Sequence, residues 1–214
     1  MCGSVGLVLK DKQLQSDLGG MLTAMLITMT NRGPDSAGIA IYGPGCEKKS
    51  KLTIQSDDPI NDFKNLVEDL EMTLGCNVSI TKKDTHAVLY LPTSSIGAAR
   101  DQIATRKKSI RVMSCGNSIE IYKEVGLPCE VARRFQIETM SGSHGIGHTH
   151  MATASAVTTM GAHPSSPGND QWLFHTASLA HHTRCRGNLA LTRATLPTAH
   201  THEVAAAYCP LPRP

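Results

Sequence analysis

The chain opens with MCGSVGLVL (residues 1–9), in which a cysteine follows the first methionine and leads into an apolar run. The run predicts a buried strand over 4–9 that starts beside the terminus. Cysteine is small enough for Met1 to be removed, which would leave Cys2 with both a thiol and a free α-amine. An amine of that kind titrates near about 7.7–8.0 and can accept the proton of a neighbouring thiol. The terminus therefore offers a nucleophile with its own base, unless Cys2 is an ordinary buried cysteine.

Composition narrows the class of protein. The 214 residues suffice for one large domain or two small ones, and the net charge is only +3. The seven cysteines form no CxxC pair and their number is odd, which argues against a disulfide framework. We find no stretch typical of a membrane span or a signal peptide, and the short basic runs have few aromatic neighbours. We expect a cytoplasmic protein that contacts neither membrane nor nucleic acid.

Periodicity predicts the elements that follow the first strand. Apolar residues at helical spacing predict a helix over 14–30, which ends in the breaker-rich turn 31–35. A strand over 36–42 and a loop or hairpin over 43–51 come next. A small α+β insertion then occupies approximately residues 56–140. Its predicted elements are a helix over 60–74, strands over 78–81 and 86–91, a helix over 94–107, a strand over 110–113, and helices over 118–125 and 130–135.

The last third of the chain has a different texture. Residues 144–153 predict a strand, 162–170 a loop rich in Pro, Gly and Ser, and 171–175 another strand. The final CPLPRP (residues 209–214) cannot form a central strand or helix, so we interpret it as a tail behind one domain over 1–208.

Several segments together resemble class II glutamine amidotransferases, which have the N-terminal nucleophile hydrolase fold. They are CGSVG (2–6), NRGPDSAG (31–38), GHT (147–149), HP (163–164) and EV (203–204). Two further stretches, 118–128 and 145–159, are similar to the small amidotransferase subunits of glutamate-synthase-like and N-methylglutamate-synthase-like systems. The resemblance implies an α+β fold, a four-layer αββα sandwich with the small insertion and a truncated C-terminal part. Truncation, a natural split and a shifted reading frame after Tyr208 are the alternatives for that part.

The family's chemistry implies that the Cys2 thiolate attacks the side-chain amide of glutamine, releases ammonia to a partner synthase and leaves glutamate after hydrolysis of a thioester. It implies no cofactor. Arg32 matches a substrate-site position of the family, although an arginine in such a turn can equally serve to anchor it.

Other positions of the glutamine site depart from the family. His150 stands where the family has the arginine that grips the substrate carboxylate, and a histidine offers no bidentate fork. Thr176 and Ala177 stand where it has the Asn-Gly pair of the oxyanion hole. Thr201 stands where it has the aspartate that holds the substrate ammonium, and Ser4 replaces an aliphatic residue.

Three hypotheses follow from this pattern. The chain is an amidotransferase subunit with an altered pocket and impaired activity, or a catalytically degenerate homologue that acts as an assembly or regulatory partner. The third is a metal-binding module, because His148 and His150 alternate on one strand and His175, His181, His182, His200 and His202 lie downstream. Since His148 already has a counterpart in the family and no tight Cys/His spacing occurs, we expect no metal.

Overall fold

The computed structural model describes residues 2–45, 48–152 and 157–174. Within them it has eight strands and five α-helices, which confirms the α+β class. In chain order they are β1 (Gly3–Val8), α1 (Leu18–Thr28), β2 (Ser36–Tyr42), β3 (Lys49–Ser56), α2 (Pro59–Asp62), α3 (Leu66–Leu74), β4 (Ser79–Lys83), β5 (His86–Pro92), α4 (Ile96–Arg106), β6 (Ile110–Gly116), β7 (Ile119–Val125), α5 (Pro128–Arg134) and β8 (His144–His150). None of these helices is long and apolar enough to cross a membrane.

The first sheet has the antiparallel order β1-β8-β2-β7. All residues of β2 are buried, as expected for an apolar run with a strand on each side. Helix α1 covers one face of this sheet with Leu18, Leu22 and Leu26, which have no exposed surface. A Cβ atom at Gly147 would lie 2.8 Å from Leu26 Cδ1, so glycine at this point of β8 allows α1 to pack directly on the strand.

The second sheet has the antiparallel order β4-β5-β3-β6. One of its faces packs on α3 and α4, and Leu52 and Leu89 are fully buried there. The opposite face meets β7 of the first sheet. Lys51 Nζ lies 2.7 Å from Glu120 Oε1, and Val88 joins the core around Tyr122. The two antiparallel sheets and the helices that pack on them are compatible with a layered sandwich.

A buried histidine belongs to this inter-sheet packing. The ring centroid of His86 lies 4.7 Å from that of Phe135 and 5.9 Å from that of Tyr122. Burial, with the positive charges of Lys123 and Arg134, lowers the pKa of His86 to about 3. His86 is therefore a neutral packing residue near pH 7.

Two predictions of local structure are wrong. Residues 118–125 were expected to be helical, but they form β7, where Ile121 and Tyr122 are both fully buried on opposite faces of the strand. The spacing of Ile119 and Tyr122 resembles a helical face only because both sides of this strand are covered. The loop or hairpin predicted over 43–51 is shorter than expected, because β3 begins at Lys49.

Other elements differ in detail from the sequence prediction. The helix expected over 14–30 begins as the 3-10 turn Lys12–Asp17, and that expected over 60–74 is divided into α2 and α3. In place of a strand over 171–175, the described residues of that segment form a single bridge between Leu173 and Ser165. The strands expected at 36–42 and 86–91 are confirmed.

Candidate active site

The pairing of β1 with β8 decides which side chains meet at the N-terminus. Ser4 pairs with His148 across the two strands, and because side chains alternate along a strand, Cys2 lies one step further on the same face, opposite His150. The contacts agree with this register. Cys2 Sγ lies 3.3 Å from His150 Nδ1, and Ser4 Oγ lies 2.9 Å from His148 Nδ1. The thiol therefore sits in a small cluster of imidazoles on the sheet face opposite α1.

The terminus is fastened to the end of α1. The Gly3 N–H donates to Thr149 Oγ1 at 3.2 Å, and the Thr149 hydroxyl donates to the Met29 carbonyl at 3.3 Å. A Cβ atom at Gly3 would lie 3.1 Å from Arg32 Cβ, so the backbone of Arg32 runs beside the terminus. The Arg32 side chain is exposed. Arg32 therefore lies next to the N-terminal strand.

The turn after α1 also holds the end of β8. Gly33 packs so closely that a Cβ atom there would lie 2.5 Å from the His150 nitrogen, which only glycine avoids. The Asp35 N–H donates to the His150 carbonyl at 3.1 Å, and Asp35 Oδ2 accepts from the Ala152 N–H at 2.7 Å. The turn thus sets the position of His150 relative to Cys2.

His148 is the deepest member of the cluster. Only 1% of its surface is exposed, and its Nε2 has no hydrogen-bond partner among the described residues. Burial and, secondarily, the neighbouring charge of His150 lower the pKa of His148 to about 4. His148 is therefore neutral near pH 7 and supplies no positive charge for a carboxylate.

Residues 157–174 lie across the same face of the first sheet. Lys123 Nζ donates to the carbonyls of Ala162 at 2.9 Å and Met160 at 3.2 Å, which fixes the near end of this segment. The Phe174 ring stacks on His148 with centroids 5.0 Å apart. The His163 ring lies 5.1 Å from that of His148. Aromatic rings and backbone thus enclose the imidazole cluster on the side away from α1.

Asp170 anchors the far end of the segment. Its carboxylate accepts from the N–H groups of Asn117 and Ser118, in the connection between β6 and β7, at 2.8 Å, and from that of Ile119, the first residue of β7, at 3.0 Å. Its own N–H donates to the Cys115 carbonyl at 2.9 Å. Asp170 has a φ of +52°, a conformation that Asp and Asn adopt more readily than most residues.

We expect Asp170→Ala to lower the free energy of unfolding by about 2–3 kcal/mol, because backbone donors lose their acceptor and alanine disfavours a positive φ. Urea denaturation measures the change. Asp170→Asn is the matched control, since it keeps one acceptor oxygen and the same backbone preference, and it should lose clearly less. Equal losses in the two variants would show that the carboxylate contacts contribute little.

The structure brings some predicted site residues together and leaves others outside its described part. Cys2, Arg32 and His150 lie around the N-terminus, whereas the predicted residues Thr176, Ala177 and Thr201 lie beyond residue 174. Sequence reasoning missed the contact of Ser4 with His148 and the anchoring role of Asp170. The β1–β8 register would have revealed the first, but no sequence signal we know of would have revealed the second.

Comparison with known proteins identifies relatives of this chain. No protein-family model matches it. It is 51% identical over 208 residues to the glutamine amidotransferase-like protein GlxB of Rhizobium meliloti, an alignment that covers 97% of this chain and 69% of that protein. It is 32% identical over 172 residues to a putative glutamine amidotransferase of Methanothermobacter thermautotrophicus, which covers 77% of this chain and 56% of that protein. The chain therefore belongs to the glutamine amidotransferase-like family.

Proposed function

We propose that this chain is a class II amidotransferase domain of the N-terminal nucleophile type, which hydrolyses glutamine with Cys2 and passes the ammonia to a partner synthase. The observation that carries the proposal is the placement of the Cys2 thiol. Cys2 directly precedes the edge strand β1 of the first sheet, and its Sγ atom lies 3.3 Å from His150 Nδ1. Relatives of the chain are named as a glutamine amidotransferase-like protein and a putative glutamine amidotransferase. The αββα layer order and the ammonia acceptor are parts of the same proposal.

The chemistry requires a proton acceptor, an attacking sulfur and a stabilised oxyanion. After removal of Met1, the α-amine of Cys2 takes the thiol proton, and the thiolate attacks the amide carbon of glutamine. The proton then goes to the leaving nitrogen, ammonia departs and a γ-glutamyl thioester remains. Water hydrolyses the thioester to glutamate and regenerates the thiol. Thr176 and Ala177 occupy the family positions that hold the oxyanion.

This chain has fewer charged residues than the family at the positions that bind the α-carboxylate and α-ammonium groups of glutamine. His150 replaces the expected arginine, and Thr201 replaces the expected aspartate. We assign the substrate carboxylate to Arg32, whose side chain is exposed and whose backbone runs beside Gly3. Because an exposed guanidinium binds a carboxylate less tightly than an enclosed one, we infer hydrolysis slower than in a family member with the complete set.

A degenerate homologue that serves in assembly or regulation is the second candidate. The neutral state of the buried His148 favours it, since no protonated imidazole at that position compensates for the missing arginine. Both candidates keep the fold and the family, but they differ in what happens at Cys2.

Mass spectrometry of the purified chain with a glutamine-analogue electrophile separates the two candidates. We expect loss of Met1 and one adduct on Cys2, formed slowly and prevented by excess glutamine. Release of glutamate and ammonia from glutamine is measured in parallel. An unmodified Cys2 together with no glutamate release would overturn the proposal in favour of the degenerate homologue.

A further inference from the structure

We propose that Cys2, His148 and His150 form a zinc-binding site in the imidazole cluster beside the N-terminus. The sequence led us to expect no metal, in part because no tight Cys/His spacing occurs in the chain. Strand pairing removes that objection. One ligand atom from each of the three residues lies within 4.8 Å of the other two.

The spacing is close to that of a tetrahedral zinc centre. Zinc binds sulfur at about 2.3 Å and imidazole nitrogen at about 2.0–2.1 Å, which puts neighbouring ligand atoms about 3.5 Å apart. Cys2 Sγ and His150 Nδ1 are already 3.3 Å apart. The third ligand atom lies within 4.8 Å of the other two, so tetrahedral binding requires it to move closer by at most about 1.3 Å. A thiolate with two imidazoles is also a donor set that zinc prefers.

The surroundings of His148 provide an independent reason to expect a ligand. Its Nδ1 is held by Ser4 Oγ at 2.9 Å, while its Nε2 is buried and lacks a hydrogen-bond partner among the described residues. A buried polar atom without a partner destabilises the folded state. Metal-binding histidines commonly have one ring nitrogen held by an oxygen and the other on the metal. Ser4 and His148 match that pattern.

The N-terminus supplies a further donor. Once Met1 is removed, the α-amine and the thiolate of Cys2 can bind one metal ion in a five-membered chelate ring. Binding displaces the thiol proton, which leaves to solvent. With His148 and His150 the ring completes four ligands, so zinc needs no residue beyond residue 174.

Zinc at this position would occupy the sulfur that attacks glutamine. If Cys2 is the nucleophile, as the proposed function holds, zinc is then a reversible inhibitor that keeps the thiolate from substrate and electrophile alike. Metal binding itself does not depend on that function. The two proposals can therefore fail separately.

Titration of the metal-free chain with Zn²⁺ followed by calorimetry tests the site, with Co²⁺ as a spectroscopic substitute. We expect one Zn²⁺ per chain and a thiolate-to-cobalt charge-transfer band that Cys2→Ser abolishes. Ser4→Ala should weaken Zn²⁺ binding about 10–100-fold, the usual effect of losing a group that orients a ligand. His150→Ala should weaken binding further. Since His148→Ala alters a buried position, the more exposed Ser4 and His150 variants keep the test decisive.

The controls separate this site from other donors. Cys129→Ser removes an exposed thiol, and the double variant His181→Ala/His182→Ala removes histidines outside the described residues. Both should bind Zn²⁺ like the unaltered chain. No binding, or binding that Cys2→Ser and Ser4→Ala leave unchanged, overturns the zinc site. Electrophile labelling of Cys2 without zinc binding would leave the proposed function standing, and a Cys2-dependent cobalt band without labelling or hydrolysis would leave only the zinc site.

Discussion

Replacing Cys2 with serine will reduce glutamine hydrolysis at least about 10³-fold, because the reaction loses its nucleophile while the rest of the site stays in place. A serine hydroxyl is far less acidic than a thiol, so the α-amine cannot generate the attacking anion near pH 7. The Cys2 side chain is only partly buried where it contacts His150 Nδ1. Replacing its sulfur with the smaller oxygen of serine should therefore change the free energy of unfolding little. Glutamate release at saturating glutamine is the measurement, with thermal unfolding as the check on folding.

Cys129→Ser is the matched control for that substitution. Cys129 is an exposed thiol at the start of α5 and is far from Cys2 in the sequence. Its replacement should leave hydrolysis within about twofold of the unaltered chain, since surface substitutions of this kind change little. Hydrolysis that survives in Cys2→Ser would falsify the assignment of Cys2 as nucleophile. A comparable loss in Cys129→Ser would point to a general effect of thiol removal.

The elements that could be predicted from the sequence are those in which the pattern of buried residues along the chain is simple. Strand β2 is a continuous apolar run in the centre of a sheet, and its predicted bounds are those observed. Strand β7 was mistaken for a helix because its two faces meet different cores, so apolar residues recur at helical spacing. Strand β3 was missed because its start is polar. Lys51 is buried there only through its ion pair with Glu120, a partner that no local pattern reveals.

The candidate site shows the same division between local and long-range information. Alternation within β8 already predicts that His148 and His150 share a face. Which residues of β1 meet them depends on register, and register follows from the whole sheet. The Phe174 ring that stacks on His148 follows Asp170 in the chain, and the Asp170 carboxylate accepts from N–H groups more than 50 residues earlier in the sequence. Cys2 could be proposed as a nucleophile from the sequence, but its imidazole neighbours could not be derived without the fold.

Restoring the Asn-Gly pair that the family has in its oxyanion hole should give the largest increase in the rate of glutamine hydrolysis. We expect Thr176→Asn/Ala177→Gly to raise the rate of glutamine hydrolysis about 10²–10³-fold, the usual contribution of one oxyanion donor. Asparagine supplies a longer, directed N–H donor where threonine has a short hydroxyl. Glycine removes a Cβ and permits backbone conformations that alanine disfavours. Steady-state kinetics with glutamine measure the gain, which should appear in kcat because the donor acts on the transition state more than on the substrate.

Two comparisons decide what such a gain means. Thr176→Val/Ala177→Gly keeps the backbone change without a side-chain donor, so a gain confined to the asparagine variant assigns it to the new N–H group. His150→Arg should instead lower KM for glutamine, since a guanidinium binds the substrate carboxylate with two parallel hydrogen bonds. If neither kcat nor KM responds, positions 150, 176 and 177 do not face the substrate of Cys2. The strand register places His150 opposite Cys2, so a lack of response to His150→Arg would be the hardest result to reconcile with the structure. His150→Arg is therefore the more stringent test of the site.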